Sequence, residues 1–223
     1  MERALVLADG EPVTKRGLDA AWPGWDHKAR IVVAADGGAR LADPLALRID
    51  QWVGDGDSLG RDELDELRAA GVPIELVAAD KDESDTELAM LAAVDRGATD
   101  VTILGGLGGP RLDHALANIA LLGHPALQGK TARILADRSR VTLLTGPATL
   151  ELKGRIGDLV SLLPLGGDAD GVTTDGLRFA LRDEELKAGP ARGLSNVRLT
   201  QVARVRVVRG RLLVVETPAR LLR

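Results

Sequence analysis

The chain has no cysteine, no tyrosine, one phenylalanine and three histidines among its 223 residues. Without cysteine there can be no disulfide framework, thiol nucleophile or cysteine zinc site, and three scattered histidines make a poor metal cluster. Any metal must therefore be held by oxygen. The scarcity of aromatic rings and the net charge of −4 argue against a base-stacking platform or a basic nucleic-acid surface. No apolar run approaches the roughly 20 residues that cross a bilayer, so no membrane association is expected. The opening Met1-Glu2-Arg3-Ala4-Leu5-Val6-Leu7 reads as a short strand rather than a secretory signal, and a cytoplasmic location is the expectation.

Hydrophobic residues make up 45% of the chain and charged residues 28%, which is ordinary for a globular protein and too apolar for disorder. At roughly 150 residues per domain, one large domain, or a larger one carrying a smaller one, is expected. Charge divides the chain. Through Thr145 there are 16 Lys and Arg against 24 Asp and Glu, and beyond it 13 against 9. In the first part Asp outnumbers Glu 17 to 7, although Glu is the better helix former; either the Asp residues fill caps and turns or short carboxylates are needed there. The apolar pattern divides at the same place. Up to residue 145, short runs (Leu5-Val6-Leu7, Ile31-Val32-Val33-Ala34, Ile74-Glu75-Leu76-Val77, Val101-Thr102-Ile103-Leu104) alternate with helix-like stretches over 62–70, 84–96 and 112–122, as a parallel α/β sheet requires. After Gly146-Pro147 only strand-length pieces follow, at 149–152, 159–163, 202–208 and 212–215. The expected fold is an α/β domain with a parallel sheet over 1–145, followed by a small all-β, sandwich-like domain over 146–223.

Ligands of open α/β sheets bind beyond the carboxyl ends of the strands, so the residues following each run hold the candidates. Ala35-Asp36-Gly37-Gly38 places a carboxylate at a strand end and two glycines where a ligand can approach the backbone, although Asp-Gly is also a common turn. Gly54-Asp55-Gly56-Asp57-Ser58 sets two carboxylates in a glycine-rich turn. Asp55, Asp57, Gly60 and Glu66 fall at calcium-loop positions, but Leu59 occupies a ligand position and the preceding Gln51-Trp52-Val53 is strand-like, which speaks against an EF-hand. In Lys81-Asp82-Glu83-Ser84-Asp85-Thr86-Glu87, Ser84 and Glu87 form a capping-box pattern and Asp85 suits a helix start, leaving Lys81 and Asp82 without a structural reason. The turn from Gly105 through Gly106 to Pro110, leading into Arg111, Asp113 and His114, exposes backbone N–H groups to phosphate. It carries neither the Walker ending nor the dinucleotide fingerprint. Two carboxylates about 4 Å apart repel by about 1 kcal/mol in water and about 4 kcal/mol at an effective dielectric of about 20, so several at one sheet edge call for a cation. Oxygen ligands beside phosphate point to Mg²⁺ and to transfer of a phosphoryl-type group from a nucleotide.

Ala35-Asp36-Gly37-Gly38, Gly54 through Ser58, Asp82 through Glu87 and Gly108 through Asn118, in this order and spacing, resemble the thiamine pyrophosphokinase family. The likeness continues through Val160-Ser161-Leu162-Leu163-Pro164-Leu165, Gly176-Leu177 and Gly193-Leu194-Ser195-Asn196. It implies Mg²⁺-dependent transfer of pyrophosphate from ATP to the hydroxyl of thiamine, giving thiamine diphosphate and AMP. On that resemblance Asp55, Asp57 and Asp85 are the metal carboxylates, and Asp36, Gly37, Lys81, Gly106, Arg111, Asp113 and Asn118 line the nucleotide and phosphate site. Either Asp85 or Asp113 would take the hydroxyl proton. Phe179, Ser195 and Asn196 face thiamine, and the protein would be a homodimer with shared active sites. Pro110 is an extra residue in the family pattern, and Phe179 stands where many relatives carry Trp. Two alternatives remain open: a pyrophosphokinase for another hydroxymethyl heterocycle of pterin type, and a non-catalytic sensor of thiamine or nucleotide.

Overall fold

The computed structural model describes residues 2–221 and forms two compact units, Met1–Asp137 and Arg138–Arg223. In the first, strands and helices alternate as β1 (Arg3–Leu7), α1 (Lys15–Ala21), β2 (Ala29–Ala35), α2 (Ala42–Leu45), β3 (Gln51–Gly54), α3 (Arg61–Ala69), β4 (Ile74–Leu76), α4 (Asp85–Asp95), β5 (Asp100–Leu104), α5 (Leu112–Leu121) and β6 (Thr131–Ala136). Met1, which the opening strand was expected to include, lies outside the described residues. Within this unit the strands lie in the order β6-β5-β1-β2-β3-β4, and each adjacent pair is parallel. The strand β5 is buried along its whole length and β1 is buried from Ala4 onward, which is why both read as unbroken apolar runs rather than alternating ones. Chain order runs outward from β1 through β2 to β4, then resumes on its other side with β5 and β6. The reversal between β1 and β5 makes a crevice at the carboxyl ends, where such sheets bind ligands.

Local signals set the helix starts. The Thr14 hydroxyl accepts from the Gly17 N–H at 2.9 Å and donates to Asp137 at 2.8 Å, starting α1 and tying it to the end of β6. Ser84 caps α4 by accepting from the Glu87 N–H at 3.2 Å. Among the described residues only this half of the expected capping box forms; the Glu87 carboxylate lies 3.4 Å from His124 Nε2 instead. At α3, which carries no hydroxyl cap, Glu63 reaches back to the Gly60 N–H at 2.9 Å.

The second unit contains β7 (Ser139–Thr145), β8 (Ala148–Lys153), β9 (Leu159–Pro164), β10 (Ala169–Asp175), β11 (Glu184–Leu186), β12 (Asn196–Val197), β13 (Val202–Val207) and β14 (Arg211–Thr217). Its strands pair antiparallel in the orders β12-β9-β14-β7 and β11-β10-β13-β8. Leu144, Val160, Leu162 and Val214 from one set pack with Leu152, Val172, Leu186 and Val205 from the other in a single core, as in a sandwich. The packing boundary precedes the composition break expected at 145/146. Residues of β7 pair with β14 from Glu216 opposite Arg140 to Arg211 opposite Thr145, so this strand belongs to the second unit. Arg198 and Glu216, 1% and 3% exposed, are buried in this unit. The Arg198 guanidinium donates to Glu216 at 2.7 Å and to the Leu152 carbonyl at 2.6 Å.

Candidate active site

A cavity of about 690 Å³ opens at the carboxyl ends of the first unit's strands, lined among others by Asp9, Asp36, Asp55, Asp57, Lys81 and Asp85. The element that seats Asp36 is a turn following β2. Its φ is +43°, a left-handed conformation that Asp tolerates better than most side chains. The turn is held from below by the fully buried Trp52, whose indole N–H donates to the Asp36 carbonyl at 3.0 Å. Asp36 is 5% exposed and its Oδ1 has no hydrogen-bond partner among the described residues. Burial pushes its pKa above the ordinary carboxylate value; the nearby Asp85, Asp55 and Asp57 add to the effect and Ser58 opposes it.

Oxygens of Asp36, Asp55 and Asp57 all lie within 4.8 Å of one another. That separation lets one hard cation reach all three. The loop after β3 is folded on itself: the Asp57 N–H donates to Asp55 Oδ1 at 3.0 Å, and the Ser58 hydroxyl to Asp57 at 3.0 Å. Arg40 ties this loop to α3 through two 2.7 Å hydrogen bonds to Glu63 and one of 2.8 Å to the Ser58 carbonyl. Its guanidinium holds the Glu63 carboxyl down at about 2. Asp85 is not part of the three-carboxylate grouping. It lies 3.1 Å from Lys81 Nζ instead, so the closest cluster contains Asp36 in the place that the resemblance gives to Asp85.

On the other wall, Arg111 clasps Asp113 with Nε and Nη2, at 2.9 and 2.5 Å, and the pairing lowers the Asp113 carboxyl to about 2. Asn118 is 7% exposed and donates from Nδ2 to the Gly106 carbonyl at 3.0 Å. Gly106 itself faces Ile103 and Ile134 rather than the cavity, where Gly108 and Gly109 are the lining glycines. Gly37 likewise is not a lining residue. A Cβ on it would fall 2.3 Å from Asp9 Oδ2, so its bareness admits a neighbouring side chain rather than a ligand.

In the second unit Phe179 is 63% exposed. Asn196, buried, accepts from the Phe179 N–H at 2.9 Å and donates to its carbonyl at 2.7 Å. Asn196 therefore fixes the Phe179 backbone. Ser195 is exposed, with φ +55°, and its N–H donates to Ser161 Oγ at 3.0 Å. Asp9, Arg40 and Glu63 escaped the sequence reading. The signal for Asp9 was present: Ala8-Asp9-Gly10 follows the first apolar run as Ala35-Asp36-Gly37 follows the second.

Short carboxylates, a lysine and a glycine turn gathered at the switch point of a parallel sheet define an α/β enzyme of phosphoryl-type transfer. Residues 24–144 match the family model "Thiamin pyrophosphokinase, catalytic domain" and residues 148–212 the model "Thiamin pyrophosphokinase, vitamin B1 binding domain". The chain belongs to the thiamine pyrophosphokinase family, which is one of ATP-dependent pyrophosphotransferases. Among curated relatives, "Thiamine pyrophosphokinase" of Bacillus subtilis is 26% identical over 144 residues, 64% of this chain and 66% of the relative. "Thiamine pyrophosphokinase 1" of Arabidopsis thaliana is 28% identical over 198 residues, 78% of this chain and 72% of the relative. The fold is that of the crystal structure of the Bacillus subtilis thiamine pyrophosphokinase, with a TM-score of 0.83 at 21% identity over 97% of this chain and 99% of that one. It is also that of the Candida albicans thiamin pyrophosphokinase, with a TM-score of 0.77 at 17% identity over 97% and 89%.

Proposed function

We propose that the protein transfers the pyrophosphoryl group of ATP to the hydroxyl of thiamine, with Mg²⁺ as cofactor, releasing AMP. One observation carries the reading: Asp36, Asp55 and Asp57 come within one ion's reach, with the buried Asp36 Oδ1 unpartnered, inside the stretch that matches the catalytic model. These three carboxylates fit a hard divalent ion in charge, ligand type and spacing. Once bound by them, Mg²⁺ would supply charge neutralisation for the triphosphate.

The chain's own groups do the rest. Lys81 and Arg111 would engage phosphate oxygens and hold the β-phosphorus in line with the acceptor hydroxyl. The hydroxyl oxygen bonds to the β-phosphorus as the bond from that phosphorus to the α-β bridging oxygen breaks, and AMP leaves with that oxygen. Of the two carboxylates considered for the hydroxyl proton, Asp113 is the poorer acceptor because Arg111 holds it at about 2. Asp85, beside Lys81 and outside the three-carboxylate grouping, is assigned the role. The exposed Phe179 ring would pack on the pyrimidine, on a segment that Asn196 keeps in place. We further propose a cytoplasmic location and a homodimer, the latter tested by light scattering of the purified protein. Incubation with ATP, Mg²⁺ and thiamine should yield AMP and thiamine diphosphate in equal amounts, and absence of AMP with every divalent metal tried would refute the activity. A pterin alcohol offered in competition should leave thiamine turnover unchanged.

A further inference from the structure

The second unit keeps a buried charged pair that the chemistry proposed above does not use. Arg198 and Glu216 are 1% and 3% exposed, and Arg198 Nε finds no hydrogen-bond partner among the described residues. Such a pair adds little net stability, because lost hydration offsets the attraction, and apolar side chains of like volume do as well. What the planar guanidinium supplies instead is direction. Its Nη1 donates to the Leu152 carbonyl on β8 at 2.6 Å and its Nη2 to Glu216 Oε1 on β14 at 2.7 Å, and those strands belong to opposite sheets of the sandwich. Arg140 fixes the other Glu216 oxygen, its Nε donating to Oε2 at 2.6 Å. A Cβ on Gly154 would stand 3.0 Å from Arg198 Nε, so the side chain crosses the unit against bare backbone.

The strand next to Arg198 is short. β12 is two residues long and lies at a sheet edge, pairing with β9 through Asn196 opposite Val160 and Val197 opposite Leu159. Residues 176–179 in turn hang on 196–199. The Leu199 N–H donates to the Gly176 carbonyl at 2.8 Å and the Arg178 N–H to the Val197 carbonyl at 2.9 Å, Leu177 bridges Arg198, and Asn196 takes both backbone groups of Phe179. The Arg198 backbone is clamped as well, donating to the Asp158 carbonyl and accepting from the Gly157 N–H, both at 2.9 Å. Leu177 is buried in the core and keeps the segment in contact, but apolar packing is non-directional, whereas the fork is aimed at partners on two sheets. The Phe179 ring, 63% exposed, has little packing of its own to set its place. That place is set through Asn196 and Arg198 to Glu216.

We infer that Arg198 is a positioning residue for the acceptor: by tying β12 to both sheets it holds Phe179 and Ser195 at the spacing that thiamine needs. The inference rests on the reading given above in which these two residues meet thiamine. Steady-state kinetics of the full chain test it with Arg198→Met and Glu216→Leu together, which remove the pair without stranding a buried charge. The thiamine KM should rise by about 10-fold or more, the scale of a small misplacement. Over the same comparison kcat and the KM for ATP should stay within about 2-fold, and the melting temperature should not fall. Arg198→Lys keeps the charge but not the fork, so it should shift the thiamine KM in the same direction by less, and it carries the test where the double variant is not recovered folded. Arg204→Gln, which breaks an exposed ion pair to Glu151 in the same unit, should change none of these quantities. Because the effect runs through Phe179, the double substitution in a Phe179→Ala background should raise the thiamine KM by less than about 3-fold. An unchanged thiamine KM, or an undiminished rise on top of Phe179→Ala, overturns the positioning role and leaves the proposed function standing. So does a loss shared by kcat and both KM values that follows a lower melting temperature. A wild-type chain that forms no thiamine diphosphate overturns both.

Discussion

At Asp36 the fold holds a carboxylate 5% exposed, with one oxygen unpartnered, and its pKa is raised first by burial and then by Asp85, Asp55 and Asp57. A raised carboxyl pKa means that the folded chain binds the proton more tightly than the unfolded chain does. Over the window between the ordinary value of 3.8 and the raised one, the folded state carries more protons, so stability falls as pH rises. The penalty is absent below that window and complete above it. A cation bound by Asp36, Asp55 and Asp57 would remove it, so the Mg²⁺-induced rise in melting temperature should be larger at pH 7 than at pH 4. Calorimetric melts at the two pH values check this, and Asp36→Asn should flatten the difference. In catalysis, Asp57→Ala should lower kcat by at least about 100-fold, the scale of losing one group that stabilises developing charge. Steady-state assays separate the two remaining candidates as well. Asp85→Asn should lower kcat, whereas Asp113→Asn, which frees Arg111 from its clasp, should change the KM for ATP more than kcat.

The elements that position these side chains were legible to different degrees, for physical reasons. The β2 turn, the β3 loop and the start of α4 follow apolar runs, so the strand-end rule found Asp36, Asp55, Asp57, Lys81 and Asp85, all of which line one cavity. Asp9 obeys the same rule but follows a run at the chain's beginning, with a single turn dipeptide and no second acid to draw attention. What sequence spacing could not provide is distance. The family resemblance groups Asp85 with Asp55 and Asp57, whereas the fold brings Asp36 closest to those two and sets Asp85 beside Lys81. The glycines were read as openings for a ligand, yet Gly37 admits Asp9 and Gly106 packs on Ile103 and Ile134. Asn118 shows the same inversion: its amide serves the Gly106 carbonyl. Asn118→Leu leaves that buried carbonyl unpaired, at a cost of about 1–3 kcal/mol, and releases the turn that presents Gly108 and Gly109. Chemical denaturation should register the lost stability, and kinetics a higher KM for ATP with thiamine affinity unchanged.

For the whole molecule, the acidic first part and basic second part, and the change from helical to strand-length periodicity, foretold an α/β unit followed by a β unit. The pairing of β7 with β14 rests on long-range register, which has no local signature in the sequence. The buried pair of Arg198 and Glu216 has none either; nothing in either neighbourhood marks a charge as internal. The three tryptophans, by contrast, give the molecule a selective reporter. Trp22, Trp25 and Trp52 all belong to the first unit, Trp25 and Trp52 are buried, and Trp52 holds the Asp36 turn. Tryptophan emission during heating therefore follows the unit that carries the cavity. Saturation at about 100 times Kd stabilises a folded state by about 2.7 kcal/mol, and each kcal/mol moves the midpoint of a chain this size by about 2–4 °C. With Mg²⁺ and α,β-methylene ATP at that level the emission midpoint should rise by about 5–10 °C. The same analogue in a chelator meets a cavity whose carboxylates repel the triphosphate, and the rise should fall below about 2 °C. Equal shifts with and without metal would mean that the nucleotide is held without any cation, and the carboxylate cluster would need another purpose.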